Sequence, residues 1–471
     1  MSKNFKILLI NPPYHRQIYT TTQDVYEAME SKPPLGILSI GTYLKENTDF
    51  EIRLLDNQLE ALSEKQVARL IKDYRPDVVG ITVVSFKLYS AYRLTQVVKE
   101  SSPFTHVCWG GPHLSIYLKE SLYLVGVNSV ILGDGEIPFT LLCRNLSEGK
   151  KIENIEGVYT LDNVPPDYGF KEYVYTDLNE LPMPDITLLP YNRYRAFLTN
   201  NLMATAITSR GCPYRCIFCK LDFNKIRFIS IDKVIQMIER YIELGIREIE
   251  FYDETFNINT ERVTEFATEI INRRLKFKWS FRGRVDVVNG QMLKLIKQAG
   301  CQRIQYGVEA GTDRALKILK KATTVEQIRH CFYLTNQLKI DTVAYFILGN
   351  PGETLEEMNQ TIQLASEIKP TYLEYSIFNI SPGTESYKMA LEEGVIQKDY
   401  WRQYAVCPDV NMPVLVWTKD YSYEQLNGIR KRALRDFYTK PSYIFDRLIR
   451  IRPKEAYRVF KTGFDVLKSI R

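Results

Sequence analysis

Three thiols fall within eight residues, Cys212, Cys216 and Cys219, in the run Ser209-Arg210-Gly211-Cys212-Pro213-Tyr214-Arg215-Cys216-Ile217-Phe218-Cys219. A loop with three-then-two spacing can wrap one small cluster, and thiolates are the natural ligands of iron-sulfur clusters. A four-iron cubane asks for four ligands, so a three-thiol loop leaves one iron open to a chelate that is not protein. The competing metal is tetrahedral zinc, which wants a fourth Cys or His close at hand. None of the four histidines, His15, His106, His113 and His330, is near this loop in sequence. The spacing therefore points to a 4Fe-4S cluster.

The other five cysteines, Cys108, Cys143, Cys301, Cys331 and Cys407, are scattered in mostly apolar or helical surroundings and read as buried or inert thiols rather than ligands. Eight cysteines in 471 residues make no disulfide framework, and a reducing compartment follows. Lys and Arg total 62 against 56 Asp and Glu, too small an excess for the field of a nucleic-acid binder. The first ten residues lack the long apolar region of a secretory signal. No stretch approaches the ~20 apolar residues that span a bilayer. The expectation is a soluble, cytoplasmic protein of two or three domains.

Two sets of strands must position any site. Residues 7–10, 52–55, 78–83, 107–109 and 130–132 are short, nearly continuous apolar runs, as parallel strands buried on both faces require. Helix-compatible spacing fills 36–46, 63–74 and 89–100 between them. This predicts a five-stranded doubly wound sheet over 1–148, with ligands beyond the carboxyl ends of the strands. Those ends carry Asn11-Pro12-Pro13, Val84-Ser85, Gly110-Gly111-Pro112-His113 and Gly133-Asp134-Gly135-Glu136. Glycine there lets backbone approach a ligand closely, although each is also an ordinary strand-to-helix turn.

A Pro-rich connector occupies 149–198. From 199 to 392 strands are predicted at 204–209, 248–252, 277–281, 303–308, 342–348 and 372–378, with helices at 232–244, 261–273, 291–298, 325–338 and 355–367. Six βα units make a partial (β/α)6 barrel whose chemistry belongs at the carboxyl ends of the strands. The three cysteines follow the first of them. Residues 393–471 read as a basic helical region interleaved with aromatics, either a solvated face or a surface for membrane or a lipid-like substrate.

On these residues the barrel resembles the radical S-adenosylmethionine (SAM) superfamily, whose signature is a Cys-x3-Cys-x2-Cys loop after the first strand. The resemblance implies that Cys212, Cys216 and Cys219 hold the cluster and that SAM chelates its open iron. Phe218 matches the aromatic position beside adenine, and Asp253 and Glu254 end the second strand where the family accepts from the SAM amino group. Ser280 and Arg282 lie on the third strand, where ribose or carboxylate contacts occur, and Glu309 ends the fourth. Gly349-Asn350-Pro351-Gly352-Glu353-Thr354 closes the fifth and is equally a turn into a helix.

With the N-terminal sheet and the connector, nearly the whole chain resembles the cobalamin-binding radical SAM enzymes. This implies that Ser85, Gly110, Gly111, His113, Gly133, Gly135 and Glu136 cradle cobalamin. The Asp-x-His-x-x-Gly motif that supplies a cobalt ligand in another family is missing, so neither His15 nor His113 is assigned that role. The implied activity is reductive cleavage of SAM to a 5'-deoxyadenosyl radical, for methylation of an unactivated carbon or a related cyclisation of a lipid, pigment or natural product. An external flavodoxin or ferredoxin would supply the electron, and the basic C-terminus would touch membrane peripherally. A cobalamin-independent enzyme with a scaffold N-terminal domain, or an iron-sulfur electron-transfer or sensor protein, fits the same residues.

Overall fold

A computed structural model describes residues 5–14, 32–166, 169–196, 199–220, 225–417 and 419–450. Within them the chain divides into two compact units, one of 5–14, 32–191 and 398–414, the other of 192–397 and 415–450.

The first unit is a doubly wound sheet. Its strands are β1 (Lys6–Asn11), β2 (Glu51–Asp56), β3 (Val78–Thr82), β4 (His106–Gly110) and β5 (Ser129–Ile131), all parallel, with β6 (Val158–Tyr159) antiparallel on β5, in the order 2-1-3-4-5-6. Helices α1 (Leu35–Asn47), α2 (Glu64–Tyr74), α3 (Leu88–Ser101), α4 (Leu114–Leu122) and α5 (Glu136–Ser147) alternate with the strands. Ile7, Leu8, Leu9 and Ile10 are buried in succession, because helices on both faces leave no solvent side to alternate toward. Chain order reverses between β1 and β3, which opens a crevice at their carboxyl ends.

The five predicted strands are all present. The stretch expected as a connector also contributes β6 and a bridge from Tyr173 to Gly133. Its prolines hid a strand only two residues long, too short to show a period.

The second unit is built on a six-stranded parallel sheet of β7 (Met203–Ala206), β10 (Glu248–Phe251), β11 (Lys278–Gly283), β12 (Cys301–Glu309), β13 (Asp341–Leu348) and β14 (Tyr372–Ile377). Between β7 and β10 a two-stranded antiparallel ribbon, β8 (Ser209–Arg210) with β9 (Arg227–Phe228), carries the cysteine loop. The connecting helices are α6 (Ile231–Glu243), α7 (Thr260–Asn272), α8 (Gly290–Gln298), α9 (Asp313–Ile318), α10 (Val325–Gln337) and α11 (Leu355–Ile368). Their starts follow the usual capping chemistry: Thr324 and Thr354 each close a capping box with Gln327 and Glu357. Helix α12 (Glu385–Glu392) follows β14.

The region from 393 on divides. Helix α13 (Tyr400–Val406) belongs to the first unit, where Trp401 meets Phe86 edge-on at 5.2 Å and the Tyr404 hydroxyl accepts from the Tyr89 N–H at 3.0 Å. Helices α14 (Tyr423–Tyr438) and α15 (Pro441–Arg450) belong to the second, where the Tyr438 hydroxyl donates to the Leu373 carbonyl at 2.7 Å. The basic residues beyond 450, and His15, lie outside the described residues. Of the scattered cysteines, Cys108, Cys143, Cys301 and Cys331 are buried as expected, whereas Cys407 is exposed at the end of α13.

Candidate functional site

The cysteine loop starts where Gly211 takes a φ of 101°, a left-handed conformation that a side chain would strain. Its base is clamped by Asp253, which follows β10. That carboxylate accepts from the Thr208 N–H at 2.5 Å, the Thr208 hydroxyl at 2.5 Å and the Ser209 N–H at 3.2 Å. Burial pushes Asp253 up to about 6, against the pull of those donors. Its oxygens are thus already occupied by the chain, while the neighbouring Glu254 is exposed.

Farther along the loop, Ile217 is strapped on both sides. Its N–H donates to the Leu319 carbonyl at 3.1 Å and its carbonyl accepts from the Ser386 N–H at 2.9 Å. Cys212 is buried with its sulfur 3.7 Å from the Thr255 hydroxyl, Cys216 and Phe218 are half-buried, and Cys219 is the most exposed of the three thiols. Desolvation first, then the charges of Cys216 and Cys212, push the Cys219 thiol up to about 12. Cys216 is raised by burial, with Lys321 opposing and Glu309 and Cys212 adding to the rise. Among the described residues no group of three or more His, Cys, Asp or Glu side chains is arranged to hold a metal ion, so the three thiols are brought to one loop but not about one point. The donor set itself suits an iron-sulfur cluster, whose cationic iron offsets the mutual repulsion of thiolates.

The other expected site residues lie on the neighbouring strands and their ends. Ser280 is buried within β11, and the Arg282 guanidinium lies 4.3 Å from the centre of the Tyr252 ring. Glu309 ends β12 with a φ of 69° at a register shift and pairs with Lys321 at 2.7 Å, both side chains buried. Deeper in the barrel the Gln305 amide donates to Glu250 at 2.7 Å and the Tyr345 hydroxyl donates to Gln305 at 3.0 Å. After β13, Asn350 and Glu353 are buried together. The Asn350 N–H and side-chain amide donate to one Glu353 oxygen at 2.9 and 3.1 Å, while Asn350 Oδ1 and Glu353 Oε1 have no partner. Burial pushes Glu353 up to about 7.

In the first unit the expected cofactor residues divide by what their space holds. A Cβ on Gly111, where φ is 111°, would stand 2.7 Å from the Val83 carbonyl, and one on Gly133 would stand 2.1 Å from the Tyr173 carbonyl. These two glycines are demanded by the chain's own packing. Gly110 is different, since a Cβ there would meet nothing within 4 Å. Ile40 is 3.0 Å from the corresponding point on Gly135, and Glu136 accepts from the Ser39 hydroxyl at 2.7 Å, tying α5 to α1. Ser85 and His113 meet across β3 and β4, with Oγ 3.0 Å from Nδ1. His113 is buried, which pushes it down to about 3, and its Nε2 has no partner. A buried, neutral imidazole nitrogen without a partner fits a ligand with hydrogen-bonding groups.

The sequence reading missed a buried chain at the crevice between β1 and β3. Lys87 donates to Asn11 Oδ1 at 3.0 Å, and Asn11 donates to Asp56 at 2.7 Å. The Lys87 nitrogen is also 4.2 Å from the centre of the Tyr14 ring. Burial pushes Lys87 down to about 8, with Asp56 opposing. Three strand ends far apart in sequence supply this chain, so no local pattern announces it.

Comparison with known proteins adds two family matches, the radical SAM superfamily over residues 206–365 and the B12 binding domain over residues 27–142. An uncharacterized methyltransferase of Pyrococcus horikoshii is 29% identical over 447 residues, covering 94% of each chain. The anaerobic magnesium-protoporphyrin IX monomethyl ester cyclase of Rubrivivax gelatinosus is 27% identical over 398 residues, 81% of this chain and 69% of that one. Among solved structures, the radical SAM methyltransferase TsrM of Kitasatospora setae, with cobalamin and a 4Fe-4S cluster bound, superposes with a TM-score of 0.68 at 19% identity, over 83% of this chain and 78% of that one.

Proposed function

Because this chain belongs to the radical SAM enzymes that carry a cobalamin-binding domain, we propose that it methylates an unactivated carbon, or carries out a related cyclisation, on a lipid, pigment or natural product. Its cofactors are a 4Fe-4S cluster, SAM and cobalamin. The observation that carries the reading is one loop, strapped at Ile217 and clamped by Asp253, that presents three thiols after the first barrel strand, in a chain whose other unit leaves Gly110 open at a strand end. When bound, the cluster supplies the electron that breaks the SAM sulfonium and yields a 5'-deoxyadenosyl radical. Cys212, Cys216 and Cys219 would hold the cluster, and Phe218, Glu254, Ser280, Arg282 and Glu309 would line the space for SAM. Asp253 would act by fixing the loop. Ser85, Gly110, Gly111, His113, Gly133, Gly135 and Glu136 would border cobalamin.

A small-molecule substrate suits a barrel whose interior carries Glu250, Gln305 and Tyr345 in hydrogen-bonded contact. We place the protein in the cytoplasm, reduced by a flavodoxin or ferredoxin and without a nucleic-acid partner. No described helix is long and apolar enough to cross a membrane. Exposed Ile444, Phe445 and Leu448 on α15 favour peripheral contact with a lipid surface.

Anaerobic reconstitution with iron, sulfide and hydroxocobalamin tests the assignment. The wild-type chain should hold about four irons, keep a corrin absorption band through gel filtration and release 5'-deoxyadenosine with SAM and dithionite. Cys216→Ala should lose both iron and SAM cleavage. Iron without SAM cleavage would favour the electron-transfer alternative, and SAM cleavage without corrin retention the cobalamin-independent one.

A further inference from the structure

Arg284 lies just past β11, and its side chain is only 5% exposed. Its backbone is gripped from both directions by the fully buried Asn257: the Arg284 N–H donates to Asn257 Oδ1 at 2.9 Å, and its carbonyl accepts from Asn257 Nδ2 at 2.9 Å. The guanidinium forms a two-point pair with Asp286 at 2.9 and 3.0 Å. One nitrogen of that same group also donates to the Lys321 carbonyl at 2.7 Å. Its flat face lies over Tyr214, 3.5 Å from the ring centre. Tyr214 stands between Cys212 and Cys216, and Lys321 is the residue whose amine pairs with Glu309.

The turn that Arg284 holds is strained. Lys320 and Ala322, on either side of Lys321, have φ of 52° and 55°, values that residues other than glycine adopt at a cost. Left alone, such a turn would relax, and the Lys321 amine would move with it. A planar cation bonded along its edge and stacked on its face joins that turn to the cysteine loop. An amine on a flexible stem offers neither the fork nor the stacking face.

We infer that Arg284 is the positioning residue of the cysteine loop, holding Tyr214 and the Lys321 carbonyl together so that the loop and the Lys321–Glu309 pair keep a fixed spacing about Cys216. This rests on the assignment of the three thiols as cluster ligands. Arg284 touches no reacting atom. It acts through Tyr214 on the geometry of the iron site and through Lys321 on the charge beside it.

The test is anaerobic reconstitution of the full chain as wild type, Arg284→Gln, Arg284→Lys, Tyr214→Phe and Tyr214→Leu. Iron per folded chain, the electron paramagnetic resonance spectrum of the dithionite-reduced cluster with and without SAM, and circular dichroism are read for each. Arg284→Gln, Arg284→Lys and Tyr214→Leu should load at least about threefold less iron per folded chain, with an altered spectrum in what loads, and Tyr214→Phe should match wild type. Recovery of loading and spectrum by Arg284→Lys would overturn the inference. So would variants whose iron loss only tracks the unfolded fraction while the spectrum stays unchanged. Should Arg284→Gln not fold, Tyr214→Leu decides the matter. If wild type takes up no iron, the assignment of the thiols fails and this inference with it; if wild type loads and the variants equal it, the inference alone fails.

Discussion

Replacing Glu353 with glutamine should stabilise the second unit most above pH 7 and leave it unchanged only below about pH 4.5. The buried carboxyl ionises near 7 rather than at its ordinary 4.5, so the native state binds its proton more tightly than the unfolded chain does. Stability from this group is complete below pH 4.5 and is lost as pH rises through 7. At about 1.4 kcal/mol per pH unit across that interval, the ionised residue costs the native state roughly 3 kcal/mol at pH 8. Glutamine removes the charge but keeps an oxygen to accept from Asn350.

The assay is native-state hydrogen exchange of the amides of α11, wild type against Glu353→Gln, at pH 5 and pH 8 in the chain without cofactors. The variant should gain about 3 kcal/mol of protection at pH 8 and no more than about 1 at pH 5. An equal gain at both pH values, or a loss at pH 8, would refute the account of a charged carboxylate held without a full set of partners.

Three further outcomes follow from the geometry. Gly111→Ala should destabilise the first unit by about 1 to 3 kcal/mol, because the backbone angle and the Val83 carbonyl both oppose a side chain. Gly110→Ala should leave thermal stability within about 0.5 kcal/mol and instead weaken corrin retention, measured by absorption after gel filtration. The folded pKa of Lys87 is depressed from 10.5 to about 8, so the unfolded chain binds more protons between those values and stability should rise with pH across that window. The slope should be missing in Lys87→Met, read from urea unfolding at pH 8 and pH 10.

Strands were legible wherever both faces are buried. Runs such as Ile7-Leu8-Leu9-Ile10 leave no other reading for a short segment followed by a helix pattern. Strand ends were legible too, which put Cys212, Glu309 and the Gly110 loop in their correct places along the chain. Side-chain duty at those ends was not. Asp253 and Glu254 are adjacent acids in sequence, and only the fold places the first under Thr208 and Ser209 while leaving the second exposed. Arg282 and Arg284 are alike in type and two residues apart, yet one lies against Tyr252 and the other against Tyr214. The signal that could have separated them is Asp286, two residues beyond Arg284, which closes a two-point pair with that arginine's fork. The chain from Lys87 through Asn11 to Asp56 joins three strand ends and has no local signature at all.

The return of residues 398–414 to the first unit has a consequence for how this protein is made. Trp401 and Tyr404 complete surfaces on Phe86 and Tyr89, and Arg402 pairs with Glu120 at 2.9 Å. Those contacts form only after residues 192–397 have been synthesised, so the corrin half stays unfinished on the ribosome until the barrel has emerged. A contiguous amino-terminal fragment would expose the bare flank of Phe86. Grafting this half onto another enzyme requires two cuts in the gene rather than one.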